Sequence, residues 1–108
     1  MAYEIEFSKR ALRKFEALPR SAQEHLKPLI SSLASNPRPP AARKMKELDR
    51  CYRMRHGDYR VVYAVYDEVL IVLVLTVADR REAYTTKEIA AMRRILRERL
   101  RELRRRGR

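Results

Sequence analysis

The sequence has little of the chemistry that cross-links small proteins or anchors them in membranes. Its single cysteine, Cys51, excludes an internal disulfide and any zinc site built on clustered cysteines, and it suits a reducing cytoplasm. The longest apolar run, residues 69–75, is too short to span a bilayer. The opening MAYEIEF lacks the basic and apolar pattern of a secretory leader. We therefore expect a cytoplasmic protein with no membrane partner.

Histidine and carboxylate residues are too scattered to suggest a metal centre. No cluster of His, Asp or Glu has the spacing of metal ligands, so we predict no metal and no small-molecule cofactor. His25 should be exposed on a helix. Strand alternation points His56 away from the neighbouring arginines, which favours a packing or surface role over general-acid chemistry. Cys51 is predicted to be a small buried or edge residue rather than a nucleophile.

Positive charge is the dominant global feature of the chain. Its 108 residues include 26 Lys and Arg against 14 Asp and Glu, a formal charge of +12, and the pI is about 10.5. The excess is uneven, because residues 87–108 hold ten basic residues and three acidic ones. A protein of this kind should bind polyanions, namely RNA, DNA, an acidic protein or, as a less favoured alternative, an anionic membrane.

Length and hydrophobic patterning predict a small single α+β domain spanning residues 1–108. The predicted elements, in chain order, are a strand at 3–7, helices at 8–18 and 21–35, a proline-rich linker at 36–40, an optional edge strand at 44–48, strands at 51–56, 59–66 and 69–77, and a basic helix at about 85–106. The N-terminal strand and the helical hairpin should pack on one face of a mainly antiparallel sheet. Asp67 and Glu68 would form a two-residue turn between the last two strands.

Each predicted helix carries a local signal. Ser8 is a candidate N-cap for the first helix, and Leu12 should belong to its buried stripe. Pro28 lies inside the second helix and should kink or split it, because proline removes a backbone donor. Thr85 begins a capping box for the third helix. The apolar seam of that helix is predicted at Ile89, Met92, Leu96, Leu100 and Leu103.

The segment RMRHGDYR predicts a tight hairpin whose arginines share one face. With Gly57 and Asp58 in a two-residue type II′ turn, Arg55 lies opposite Arg60, and Arg53 lies on the same side. Like charges directly opposite each other destabilise a strand pair by a few tenths to roughly 1 kcal/mol. Because a guanidinium fork suits phosphate oxygens, this face is a candidate phosphate site. The alternatives are that Asp and Glu residues pair with these arginines, or that the face simply lies in water.

The same register predicts an apolar surface on the opposite side of the hairpin. Tyr52 should lie beside Tyr63, and Met54 beside Val61, so that this side can receive the helical hairpin. The strand at 69–77 is apolar on both faces, which is typical of a strand covered on both sides.

The stretch CYRMRHGDYRVVYAVYDEVLIVLVLTVADRREAY, preceded by a strand and a helical hairpin, resembles the RelE/ParE toxin superfamily of toxin–antitoxin modules. The resemblance covers nearly the whole chain, and its core is the pattern R-x-G-x-Y-R-V-x-Y. The superfamily has two functional branches. RelE-type toxins cut mRNA in the decoding site of the ribosome, whereas ParE-type toxins inhibit DNA gyrase and lack a nuclease site.

The resemblance implies a RelE-like active site on the concave face of the sheet. Matching its positions gives the catalytic residues as Arg55, Arg60, Arg80 and Tyr84, and the RNA-binding residues as Arg53, Arg81, Arg93 and Arg97. RelE itself carries lysines at the positions of Arg53 and Arg55, and its spacing from Arg80 to Tyr84 is longer. Filled positions throughout the site favour the nuclease branch.

In that branch the 2′-hydroxyl of the RNA attacks the scissile phosphate without a metal, leaving a 2′,3′-cyclic phosphate and a 5′-hydroxyl. Arg60 and Arg80 would hold the phosphate. Arg55 would contact the phosphate or the leaving group, and Arg53 would position the RNA. Arginine stays protonated and is a poor base. Tyr84 is therefore the candidate to orient or deprotonate the 2′-hydroxyl, in a field of cations expected to favour its phenolate.

The resemblance also implies three partners: a cognate antitoxin, the small ribosomal subunit and mRNA. The arginine-rich helix could add affinity for ribosomal RNA, contact the antitoxin, or only pack its seam on the sheet. Two other functions stay open, a ParE-type gyrase inhibitor without nuclease activity and a non-catalytic basic RNA-binding domain. Tyr84 could equally be a packing residue on the final helix, and Arg81 could pair with a carboxylate.

Overall fold

The computed structural model describes residues 2–79, 82 and 84–106, and these form a five-stranded sheet with helices on both faces. The elements, in chain order, are β1 (Glu4–Phe7), α1 (Lys9–Glu16), α2 (Arg20–Ser32), β2 (Arg43–Lys44), β3 (Cys51–His56), β4 (Tyr59–Tyr66), β5 (Ile71–Asp79) and α3 (Thr86–Arg106). The strand order is β1-β5-β4-β3-β2. β1 is parallel to β5, and the other neighbours are antiparallel. The predicted α+β class is confirmed.

A hydrophobic cluster lies on each face of the sheet. One cluster joins α1 and α2 to β3, β4 and β5 through Ala11, Leu26, Ile30, Leu33, Met54, Val61, Tyr63 and Val74. The other joins α3 to the opposite face through Met92, Val62, Ala64, Leu73 and Leu75. β5 is buried from Ile71 to Ala78, which confirms that this strand is covered on both sides. Within the described part of the chain, no helix combines the length and apolar character needed to cross a membrane.

The start of α1 follows the prediction, and its buried stripe does not. The Oγ of Ser8 accepts a hydrogen bond from the backbone N of Ala11 at 3.0 Å, as an N-cap does, and donates to the carbonyl of Leu75 at 3.1 Å. Leu12, however, is 46% exposed. The stripe follows Ala11 and Phe15, four residues apart, because Ala11 is the residue that faces the sheet.

Pro28 lies inside α2 without splitting it. The helix runs continuously over Arg20–Ser32, so the predicted split is wrong. Pro28 has no N–H to donate to the carbonyl of Glu24. Because both residues are exposed, water can bind that carbonyl instead. The side of this helix that packs on the sheet buries Ala22, Leu26 and Ile30.

The hairpin between β3 and β4 has the predicted turn and register. Gly57 has a φ of +59°, whereas the φ of Asp58 is not positive. A type II′ turn requires this combination at its two central residues. His56 pairs with Tyr59, and Arg55 pairs with Arg60. On the helical side, the Tyr52 and Tyr63 rings stack with centroids 5.9 Å apart.

The turn between β4 and β5 is longer than predicted. Tyr66 pairs with Ile71, so the turn has four residues rather than the two at Asp67 and Glu68, and β5 runs two residues later than the predicted strand. Asp67-Glu68 contains neither glycine nor asparagine, which tight two-residue turns need for a positive φ. Leu70 takes that conformation instead, with a φ of +56°, and its carbonyl accepts a hydrogen bond from the Glu4 backbone N at 2.8 Å.

A bulge in β5 changes which of its residues share a face. Val62 pairs with Thr76, but the next residue of β4, Tyr63, pairs with Val74, so Leu75 is extra. Beyond the bulge, Ala78 lies opposite Arg60. The small alanine side chain leaves room beside that arginine.

The edge strand β2 is short and irregular, whereas the start of α3 is capped as predicted. β2 covers only Arg43–Lys44, shorter than the optional strand at 44–48, because Met45 and Leu48 turn into the α3 cluster. At the start of α3, the Oγ1 of Thr85 accepts a hydrogen bond from the Glu88 backbone N at 3.1 Å, so the predicted cap is confirmed. Along the seam of α3, Met92 is fully buried and Leu100 is exposed.

Arg38 ties the proline-rich linker to the β4–β5 turn. Its guanidinium donates to both carboxylate oxygens of Asp67, at 3.1 and 2.6 Å, and to the Tyr52 hydroxyl at 2.9 Å. The Tyr3 hydroxyl donates to the same carboxylate. Hydrogen bonds from Arg38 and then Tyr3 lower the pKa of Asp67 to about 2.

Candidate functional site

Four arginines line one cavity at the end of the sheet next to the Gly57 turn. β3 and β4 bring Arg53, Arg55 and Arg60 to one face, as predicted, and β2 adds Arg43. We call these four residues the arginine cluster. The cavity has a volume of about 340 Å³. Two like-charged pairs stand directly across from each other, Arg55 with Arg60 and Arg43 with Arg53.

The cluster is not neutralised by carboxylates in the part of the chain that the structure describes. The ion pairs there join other residues, and none involves Arg53, Arg55 or Arg60. The alternative that Asp and Glu residues pair with these arginines is therefore not supported. A dense group of unneutralised guanidinium groups is suited to an anionic ligand.

Tyr84 lies against Arg60 at the start of α3. The guanidinium carbon of Arg60 is 5.6 Å from the centre of the Tyr84 ring, a cation–π contact. The Tyr84 hydroxyl is buried and has no hydrogen-bond partner among the described residues. The structure thus brings two of the predicted catalytic residues into contact and encloses the hydroxyl of one.

The expected phenolate at Tyr84 is wrong. Burial raises the pKa of the Tyr84 hydroxyl, and the charge and close approach of the Arg60 guanidinium, together with the charge of Arg53, only partly oppose that rise. Tyr84 is therefore a neutral phenol at neutral pH. It can donate or accept a hydrogen bond, but it is not a ready base.

Two of the other predicted site residues lie away from the arginine cluster, and for two the structure gives no position. Arg80 and Arg81 lie outside the described residues. Arg93 and Arg97 line a different cavity of about 250 Å³, beside Tyr66 and Arg50. Arg93 also donates to the carbonyl of Glu47 at 2.8 Å, which ties α3 to the loop before β3.

The two histidines and Cys51, which the sequence did not favour as catalytic residues, have the exposure that was predicted for them. His25 and His56 are both exposed. Cys51 is fully buried, and burial raises the pKa of its thiol to about 12, so the nucleophilic thiolate is not formed at neutral pH. In the described ranges, no three His, Cys, Asp or Glu side chains gather as metal ligands.

Arg43 is the residue of this site that sequence reasoning missed. The linker was predicted at 36–40 and the edge strand from Lys44 onward, which left Arg43 outside the predicted elements. Its register with Arg53 depends on the irregular loop between β2 and β3, and alternation says nothing about such loops. The one available signal was the run of basic residues at Arg43, Lys44 and Lys46.

Three comparisons with known proteins bear on this fold and site. The family model described as ParE toxin of type II toxin–antitoxin system, parDE, matches residues 5–84. The mRNA interferase toxin RelE of Escherichia coli K12 is 35% identical over 98 residues, which cover 89% of this chain and 100% of that protein.

Solved structures agree with the sequence relatives. The intact E. coli RelBE toxin–antitoxin complex matches with a TM-score of 0.67 and 31% identity, over 75% of this chain and 100% of that one. An arginine-to-alanine double variant of E. coli RelE in the free state matches with a TM-score of 0.70 and 30% identity, over 83% and 96% of the two chains. The fold of this chain is thus that of a class of small toxins.

The chain belongs to the RelE/ParE superfamily of toxins from type II toxin–antitoxin systems. The family model carries the name of one branch and the curated relative the name of the other. Membership alone therefore does not choose between the two activities, and the choice depends on the site.

Proposed function

We propose that this chain is a ribosome-dependent endoribonuclease that cuts mRNA by attack of the 2′-hydroxyl on the scissile phosphate. The observation that supports this most is the cavity in which Arg53, Arg55 and Arg60 gather beside Tyr84 with no carboxylate partner in the described ranges. The E. coli relative at 35% identity is named an mRNA interferase. A toxin that acts only by binding gyrase has no need of such a phosphate site.

The arginine cluster suits the step in which negative charge builds on the phosphate. Arg55 and Arg60 are directly paired on β3 and β4, with Cα atoms about 4.5–5.5 Å apart in such pairs, so both forks can reach one phosphate group. Stabilisation of the developing negative charge by preorganised cations and donors is usually the largest contribution to catalysis. Removing one such donor slows the reaction by about 10²–10³-fold. We assign Arg60 and Arg55 to the scissile phosphate, and Arg80 as a further phosphate contact from the family match.

Tyr84 acts as a hydrogen-bonding group rather than as a preformed base. Its raised pKa keeps the phenol protonated, so it can orient the 2′-hydroxyl or donate to a phosphate or leaving oxygen. Its hydroxyl is buried in this structure, and the Arg60 guanidinium lies against its ring. We propose that Arg60 moves from the Tyr84 ring onto the phosphate when RNA binds, which uncovers the hydroxyl at the reacting centre.

The remaining predicted arginines serve RNA binding. Arg53 borders the cavity and would position the strand, as would Arg81 by the family match. Arg93 and Arg97 lie on α3, away from the cavity, and would contact ribosomal RNA. Such phosphate contacts supply affinity that falls with added salt.

The antitoxin is the proposed regulatory partner. One of the E. coli RelE structures that match this chain is that of a complex with its antitoxin. The exposed side of α3 is rich in arginine, and Leu100 on its seam is 36% exposed. A cognate antitoxin with an acidic, amphipathic segment would complement both features.

A gyrase-inhibiting toxin without nuclease activity is the second candidate. It is favoured by the name of the family model, which describes a ParE toxin. On this alternative, the arginine cluster would bind a protein or DNA surface, and no residue of the cavity would perform chemistry.

Addition of the purified protein to a translating extract, with mapping of mRNA 5′ ends, tests the proposal. Cuts confined to ribosome-occupied codons are expected. Arg60→Ala should lose cleavage and keep ribosome binding, because it removes a charge from the transition state and leaves the other arginines. Intact mRNA together with stalled gyrase would favour the second candidate. RNA binding with neither effect would indicate a non-catalytic RNA-binding domain.

A further inference from the structure

We infer that the arginine cluster holds two successive phosphates of one RNA strand, with Arg43 and Arg53 binding the second. The inference rests on the proposed function, because it adds a subsite to the same RNA-binding cavity. Arg43 is contributed by β2 at the edge of the sheet, and it lines the cavity together with the three arginines of the hairpin.

The register of the sheet arranges the four arginines as two side-by-side pairs. Arg55 and Arg60 face each other across β3 and β4, and Arg43 and Arg53 face each other across β2 and β3. Neighbouring strands are about 4.8 Å apart, and positions two residues apart on one strand are about 6.6 Å apart. Two anion positions separated by such distances suit neighbouring phosphates of one RNA strand rather than a single ion.

The second pair needs a ligand as much as the first. Like charges directly opposite each other destabilise a strand pair. In the described part of the chain, neither Arg43 nor Arg53 has a carboxylate partner. An anion held between the two guanidinium groups would relieve that repulsion, as the scissile phosphate would at Arg55 and Arg60.

Backbone carbonyls hold Arg43 in position and leave part of its fork available. The Nη1 atom donates to the carbonyl of Pro40 at 2.8 Å and to that of Ala42 at 3.2 Å. Among the described residues, the Nε and Nη2 atoms of Arg43 have no hydrogen-bond partner. A side chain that is partly held in advance loses less conformational entropy when it binds a phosphate.

Short uncleavable RNAs test this subsite directly. We compare 2′-O-methyl UpU, with one phosphate, and UpUpU, with two, for the wild type, Arg43→Gln and Arg20→Gln. The control Arg20 is an exposed arginine on α2, whose described ion pair is with Glu24 at 3.7 Å. Both substitutions remove one positive charge, and only Arg43 lies in the cavity.

The wild type and Arg20→Gln should bind UpUpU about three- to ten-fold more tightly than UpU at low salt, the usual range for one added charge-assisted contact. The slope of the logarithm of the binding constant against the logarithm of the salt concentration should be steeper for UpUpU by about 0.7, the value for one phosphate contact of single-stranded nucleic acid. Arg43→Gln should lose most of the preference for UpUpU and most of the added salt dependence, because only Arg53 then remains at the second phosphate. An Arg43→Gln protein that keeps the wild-type preference for UpUpU would overturn the inference.

A cleavage assay on programmed ribosomes separates this inference from the proposed function. Arg43→Gln should raise the protein concentration needed for half-maximal rate about three- to ten-fold and keep the saturating rate, because it contacts a phosphate that does not react. If the wild type does not cut mRNA, the proposed function fails, and the comparison of UpU with UpUpU still decides the subsite. Arg43→Lys keeps the charge but loses the fork, and should bind UpUpU with intermediate affinity.

Discussion

Replacing Tyr84 by phenylalanine should separate stability from catalysis. The substitution removes only the hydroxyl, which is buried and has no hydrogen-bond partner in the described ranges. The ring stays, and with it the cation–π contact to Arg60 at 5.6 Å. A hydroxyl kept for the reaction can be left unpaired until substrate arrives.

The expected magnitudes follow from that unpaired hydroxyl. An unsatisfied buried polar group costs about 1–3 kcal/mol. Tyr84 is only half-buried, so we take the lower end, and expect Tyr84→Phe to gain between zero and about 1 kcal/mol. For a domain of this size, 1 kcal/mol corresponds to a rise in Tm of about 4–8 °C. Loss of the reacting hydroxyl should slow cleavage by about 10²-fold or more.

Tyr66→Phe is the matched control. Its hydroxyl is also buried without a described partner, and Arg50 lies over its ring at 4.7 Å, yet Tyr66 is remote from the arginine cluster. Thermal unfolding and single-turnover mRNA cleavage are measured for both variants. Both should be at least as stable as the wild type, and only Tyr84→Phe should lose cleavage. A Tyr84→Phe protein that is destabilised by several degrees, or that cuts normally, would refute the assigned role.

Three further predictions concern the fold that supports the site. Met92→Ala should cost about 2–5 kcal/mol in urea unfolding, because the fully buried Met92 joins α3 to the sheet; a loss below 1 kcal/mol would contradict that packing. Gly57→Ala should cost about 1–2 kcal/mol from its φ of +59° alone, since no atom lies within 4 Å of an added Cβ, and an unchanged Tm would contradict it. The Asp67 pKa, lowered to about 2 from 3.8 chiefly by Arg38, adds stability above about pH 4 that is lost as pH falls through 2. Because the pair is exposed, the stability difference between the wild type and Asp67→Asn should be at most about 1 kcal/mol at pH 6 and should vanish near pH 2, and a difference independent of pH would refute this linkage.

The fold was predictable where side-chain alternation and turn chemistry act locally. Gly57 supplies the positive φ of a two-residue turn, and this turn sets the register that places Arg55 opposite Arg60. The turn after β4 was not predictable in the same way, because Leu70 adopts its positive φ against intrinsic preference. In that conformation the carbonyl of Leu70 accepts a hydrogen bond from the backbone N of Glu4 in β1, a contact between segments distant in sequence.

The site was predictable for the hairpin and not for what surrounds it. The shared face of Arg53, Arg55 and Arg60 follows from the alternation of side chains along two adjacent strands. The pKa direction at Tyr84 did not follow from sequence, because it depends on burial by α3 exceeding the effect of nearby cations. Arg43 was missed because its place beside Arg53 is set by an irregular loop.

End-group analysis of mRNA cut on a programmed ribosome tests the central claim most directly. One mRNA carries ribose throughout, and a second has a single 2′-deoxy nucleotide on the 5′ side of the cut site. The account predicts that the first is cut to a 2′,3′-cyclic phosphate and a 5′-hydroxyl, and that the second stays intact while the toxin still binds. Equal cleavage of both mRNAs, or products with a 5′-phosphate, would contradict it.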